Sequence, residues 1–102
     1  MSGNNLEVLP FAIEFIGTYL YVLANFLTRD PLIIAMAVGL LFLISGYGFG
    51  HKGDFNPALS FPKFLSSYYT DKVSAIKIVF QICAGIFAFL TYKIFVYKKD
   101  AK

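Results

Sequence analysis

The chain has 102 residues, 58% of them apolar and 15% charged, with a mean hydropathy of +0.67 and a formal net charge of +3. That balance is too apolar for an ordinary soluble domain, and it leaves no basic face for a nucleic acid. A single cysteine, Cys83, excludes an intrachain disulfide, and no His, Cys, Asp or Glu grouping has metal-ligand spacing.

Residues 1–7 are polar and carry no basic side chain, and the apolar run after them is too long for a cleaved signal, so a retained helix is expected. Three apolar runs, 8–27, 32–49 and 73–96, each match the roughly 20 residues that cross about 30 Å of hydrocarbon. These predict an all-α, multi-pass membrane protein of one domain. In the first run Glu14, Thr18, Tyr21 and Asn25 fall on one helix face, with Gly17 beside them. A carboxylate inside a membrane is costly and is held by partners or faces water. Glu14 therefore reads as a brace for nearby N–H groups, as a proton-titrating transport residue, or as a packing residue.

Thr28-Arg29-Asp30-Pro31 is a polar turn with Pro31 opening the second helix, so the first two spans are antiparallel neighbours. Ala35 and Gly39 have the small-residue spacing that permits close helix approach. Four glycines between Ser45 and Gly53 then predict a break in the helix and unusual backbone conformations. His51, the only histidine, is either a pH-sensitive pore-mouth group or an ordinary loop residue.

Asn56-Pro57 is a helix start: Asn caps, and Pro is tolerated best at the first helical position. The segment between the second and third spans, 50–69, is too short and interrupted to cross a bilayer, which predicts a re-entrant half-helix from Asn56 to about Tyr69. Pro62 should limit its regularity. A helix starting inside a membrane aims N–H groups and a positive dipole end at what faces it, so it must line a cavity or be buried in protein. In the third span Ser74, Gln81, Gly85, Ala88 and Tyr92 share a face, with Lys77 and Lys93 near the ends, where long stems reach water. Tyr68, Tyr69, Tyr92 and Tyr97 are candidates for an interfacial belt, and the basic tail 97–102 for contact with anionic headgroups.

Three motifs in this order resemble the aquaporin (major intrinsic protein) family. Glu14-Phe15-Ile16-Gly17-Thr18 is similar to that family's first-helix opening, Asn56-Pro57-Ala58 to its loop motif, and Gln81 with Ala84-Gly85 to its third-helix pattern. The resemblance covers one of the family's two inverted repeats, its N-terminal half. It implies pore-lining roles for Asn56, Pro57, Ala58, Leu59 and Met36, loop-bracing roles for Glu14 and Gln81, and a pore mouth at Asp54 and His51. Three positions depart from the family pattern. Leu59 stands where the second repeat has a selectivity arginine, Asp54 where many members have histidine, and Met36 near the place of an aromatic constriction residue.

One repeat encloses no pore, so the expected partner is a second, inverted copy, as in fused repeats. The N-terminal side of the three spans holds Lys52, Lys63, Lys72 and Lys77, the other side Arg29, Lys93, Lys98, Lys99 and Lys102, and so near a balance predicts little orientation preference. The resulting expectation is a passive channel for water or small neutral solutes such as glycerol, built as an antiparallel homodimer. By resemblance four pores would associate, making eight chains. The competing readings are a small dual-topology proton-coupled transporter using Glu14, and a non-conducting scaffold or partner of a full-length aquaporin. No cofactor is implied, and with no nucleophile–base pair or phosphate-binding loop an enzyme is not expected.

Overall fold

The computed structural model describes residues 8–66 and 72–97. The sequence features on residues 1–7, on 67–71 with Tyr68 and Tyr69, on the Tyr97 side chain and on Lys98, Lys99 and Lys102 lie outside the described residues. Four helices follow in order: α1 (Val8–Leu27), α2 (Pro31–Leu43), α3 (Pro57–Ser66) and α4 (Lys72–Tyr92). Two of them continue as π-helical turns, Ile44–Gly48 after α2 and Lys93–Tyr97 after α4.

Three segments, Val8–Leu27, Pro31–Gly48 and Val73–Val96, are long and apolar enough to cross a membrane. The chain therefore has the make-up of a multi-pass membrane protein. Large apolar side chains cover its outside, and α2 buries none of its residues. Such a surface is stable only against lipid or another chain.

Aromatic contacts set the direction of α4 against α1. Phe11 meets Phe80, Phe15 meets Phe80 and Phe87, and Phe26 meets Phe89 and Tyr92, with centroids 5.1–6.5 Å apart. Residue numbers rise together, so the two helices run parallel. Their seam is narrow because Ala84 and Ala88 on α4 have no side chain beyond Cβ, and both are fully buried. A hydrogen bond from Tyr19 to Thr91 Oγ1, 2.8 Å, closes the seam farther along.

The turn into α2 is fixed locally. Asp30 has extended backbone angles, its Oδ1 accepts from Leu32 N–H at 2.9 Å, and Pro31 follows at the first helical position. At the far end of α2 the glycine-rich stretch does not break the helix at Ser45. The helix widens instead, with Phe49 N–H donating to the Ile44 carbonyl, and runs on to Gly48. The chain then reverses at Gly50, the one described glycine with positive φ, and His51 N–H donates to the Ser45 carbonyl at 2.9 Å.

After Asn56 the short helix α3 runs back along α4 and passes through Pro62 to Ser66, forfeiting the bond that residue 62 would have made to the Ala58 carbonyl. The close approach that holds this loop is at Gly17. Phe55 is 2% exposed, stacks on Phe42 with centroids 5.4 Å apart, and lies so near Gly17 that a Cβ there would overlap its ring carbons. Lys52 Nζ sits 4.8 Å over the other partner, Phe42. Gly39, by contrast, has open space around it, so the Ala35–Gly39 pair mediates no close approach within the chain.

Gly17→Val should cost about 1–3 kcal/mol by overpacking and lower the melting temperature in detergent. Gly39→Ala meets nothing and gains up to about 1 kcal/mol of helix propensity, so it should be neutral or stabilising.

Candidate functional site

The polar residues the sequence spreads over three helices converge on one carboxylate. Glu14 is fully buried on α1, where an ion without partners could not persist. Its Oε2 accepts from Asp54 N–H at 2.8 Å and its Oε1 from Phe55 N–H at 2.9 Å. Gln81 Nε2, from α4, donates to the same Oε1 at 2.9 Å, and Lys77 Nζ lies 3.7 Å from Oε2. Every one of these partners donates, which is the environment a carboxylate form fits.

Phe55 shows what this grip imposes. It has φ 62, a left-handed conformation that costs a bulky side chain of order 1–3 kcal/mol. Two charge-assisted bonds to adjacent amides and the ring packed on Gly17 offset that cost. The glycine pattern is met at Gly50, which has positive φ, and at Gly53, where a Cβ would overlap the Phe55 ring, while the strained non-glycine position is Phe55 itself.

A second carboxylate carries the network into α3. Ser60, fully buried, donates to Asp54 Oδ2 at 2.7 Å and accepts from Gln81 Nε2 at 2.9 Å, while Lys63 Nζ pairs with Asp54 Oδ1 at 2.7 Å. Two acids and two lysines thus balance along one chain: Lys77, Glu14, Gln81, Ser60, Asp54, Lys63. Burial raises the Asp54 carboxyl, the largest single effect. The bonds from Lys63 and Ser60 and the charges of Lys63 and Lys77 outweigh it and hold the group below its ordinary range.

Asn56 is half-buried at the start of α3. Its Oδ1 accepts from Ala58 N–H at 2.9 Å, and its carbonyl accepts from Leu59 and Ser60 N–H. Among the described residues nothing accepts from its Nδ2. Pro57 is half-buried beside it, with Ala58 and Leu59 exposed on the same helix and Met36 exposed on α2. His51 is half-buried in the turn. Asp54 points inward to Ser60 and Lys63. Thr18 Oγ1 and Gln81 Oε1 are buried without a partner among the described residues.

The sequence reading missed Ser60, Lys63 and Ser45, whose Oγ accepts from Gly53 N–H at 3.1 Å. It sent Lys77 to water, yet that ammonium turns to Glu14 with 21% of its side chain still accessible. The available signal was the i, i+4 pair Lys77 and Gln81, which puts an amine and an amide on one face of α4.

Replacing Glu14 by Ala would leave the Asp54 and Phe55 N–H groups without their acceptor and remove one of the two acceptors of the Gln81 amide. The expected loss is about 3 kcal/mol or more, read as a lower melting temperature together with faster amide exchange at Asp54 and Phe55. Asp54 sets a pH dependence. Because its folded value is depressed, its contribution is complete above the unfolded carboxylate value of about 3.9 and is lost as pH falls through the folded one. Acid titration of stability should therefore show a drop below about pH 4 that Asp54→Asn flattens.

Against known proteins the chain gives no match: no family model, no curated protein and no solved structure is matched.

Proposed function

We propose that two inverted copies of this chain form a passive channel for water or small neutral solutes, with the start of α3 and Asn56 at its narrow part. What carries the reading is the donor-rich beginning of α3, whose preceding turn is bonded to Glu14, six residues into α1. Phe55 touches Gly17, nine residues into α1, or about 14 Å at 1.5 Å per residue. That is near half of a hydrocarbon core of about 30 Å. A loop returning to such depth would be a re-entrant segment, and irregular backbone there is tolerated only in protein or along a water-filled path.

The chemistry at the tip fits that use. The Asn56 Oδ1 is spent on capping Ala58, which leaves Nδ2 to donate to a passing neutral oxygen. The N-terminal end of α3 adds a positive dipole that disfavours protons and cations. Within a single chain a cavity of about 340 Å³ between α1 and α2 is walled by apolar groups such as Ile13, Leu41, Ile44 and Phe55. A polar conduit therefore needs the second copy. The motif resemblance to one aquaporin repeat supports the same arrangement, as does the near-even division of Lys and Arg. The transporter reading asks Glu14 to release and rebind protons, yet its oxygens are already committed to the loop, Gln81 and Lys77.

Proteoliposomes under osmotic shock provide the test. Shrinkage should be faster than in protein-free vesicles, insensitive to an imposed proton gradient, and reduced to the protein-free rate by Asn56→Asp. Aspartate caps a helix as well as asparagine does, so this variant keeps the fold while replacing the donor by an anion. Reporters on each terminus should show both orientations. Absence of solute flux would sink the channel, and a single exclusive orientation would sink its homodimeric form.

A further inference from the structure

At the end of the bundle away from the loop, the C-terminal turns of α1 and α4 flank an open cavity of about 310 Å³ lined by Phe26, Phe89, Tyr92 and Lys93. It lies within the size range of small-molecule sites, roughly 300–1,000 Å³. Its walls are aromatic: Phe26 stacks on Tyr92 at 5.1 Å and faces Phe89 at 6.0 Å. Its single charged lining group is Lys93, whose Nζ lies 5.9 Å over the Phe89 ring. The α-helix gives way to a π-helical turn at this residue, a distortion that often marks functional positions.

The charge of the chain is not evenly shared along its sequence. The segments that follow α1 and α4 contain Arg29, Lys93, Lys98, Lys99 and Lys102 against Asp30 and Asp100, a surplus of three cations. The remaining four basic residues are matched by four acidic ones, so the formal net charge of +3 is carried, in sequence, by these two segments. Both spanning helices finish here, which puts the cavity at the boundary where aromatic rings and snorkelling lysines meet headgroups.

We infer that this cavity is a binding site for one anionic phospholipid, its acyl chain lying along the outer faces of Phe26, Phe89 and Tyr92 and its phosphate against Lys93. The aromatic slot supplies contact to the chain, and the ammonium supplies headgroup selectivity. The site is independent of Asn56 and of conduction.

Protein in neutral detergent is titrated with phosphatidylglycerol or with phosphatidylcholine of the same acyl chains, and bound lipid is counted by native mass spectrometry. Phosphatidylglycerol should bind preferentially at one tight site per chain, and Lys93→Gln should weaken it about fivefold, the worth of one interfacial cation. Lys93 is exposed, so the substitution leaves the packing intact. Phe89→Ala, checked for helicity by circular dichroism, should weaken both lipids, and Lys52→Gln at the opposite end should change neither. Equal binding of the two lipids would overturn the inference. So would a preference that survives Lys93→Gln and disappears only when Lys98, Lys99 and Lys102 are neutralised, because attraction would then reside in the tail rather than in the slot.

Discussion

A carboxylate gripping two consecutive backbone amides is the constraint on which the rest of this molecule depends. Glu14 binds Asp54 and Phe55 through separate oxygens. Only a chain with both N–H groups turned to the same side can satisfy it, and that geometry is what drives Phe55 into the left-handed region. Once Phe55 is so placed its ring falls on Gly17 and Phe42, and the next residue is free to cap α3. A local electrostatic demand, the satisfaction of one buried anion, thereby positions an element more than forty residues away in sequence.

The network also explains how a segment rich in polar atoms coexists with an apolar exterior. Each buried ion has an opposite charge at hand, Lys77 for Glu14 and Lys63 for Asp54. Gln81 and Ser60 join the two pairs through directional hydrogen bonds. Such a chain is unstable to the removal of any one member, because the partner left behind is an uncompensated buried charge or donor. It is well suited to holding a loop in one conformation, and Asn56 inherits that rigidity because it directly follows Phe55.

The two ends of the bundle then divide the work. At one end lies the compensated network with α3; at the other Lys93 stands beside an aromatic slot. An inverted pair of chains would present one Lys93 slot to each leaflet, so a proposed channel of this kind would meet acidic lipid on both sides. The apolar face of α2, unburied in the single chain, is a surface such a pair could cover.

Sequence alone determined the three spans, because partition into hydrocarbon depends on about twenty consecutive residues and needs no distant partner. It also determined the starts of α2 and α3, since Asp30-Pro31 and Asn56-Pro57 cap through bonds to residues two positions on. The glycine-rich stretch was less legible: glycine permits a break but does not require one, and the π-helical turn carries the helix to Gly48. Only the tertiary structure decided which groups Glu14 accepts from, that Lys77 turns inward, that Ser60 joins the network, and that the close approach is at Gly17 rather than Gly39. These contacts link residues 21 to 67 positions apart. A periodic pattern can place each side chain on a helix face, but the partner across that face is fixed only when the helices have packed.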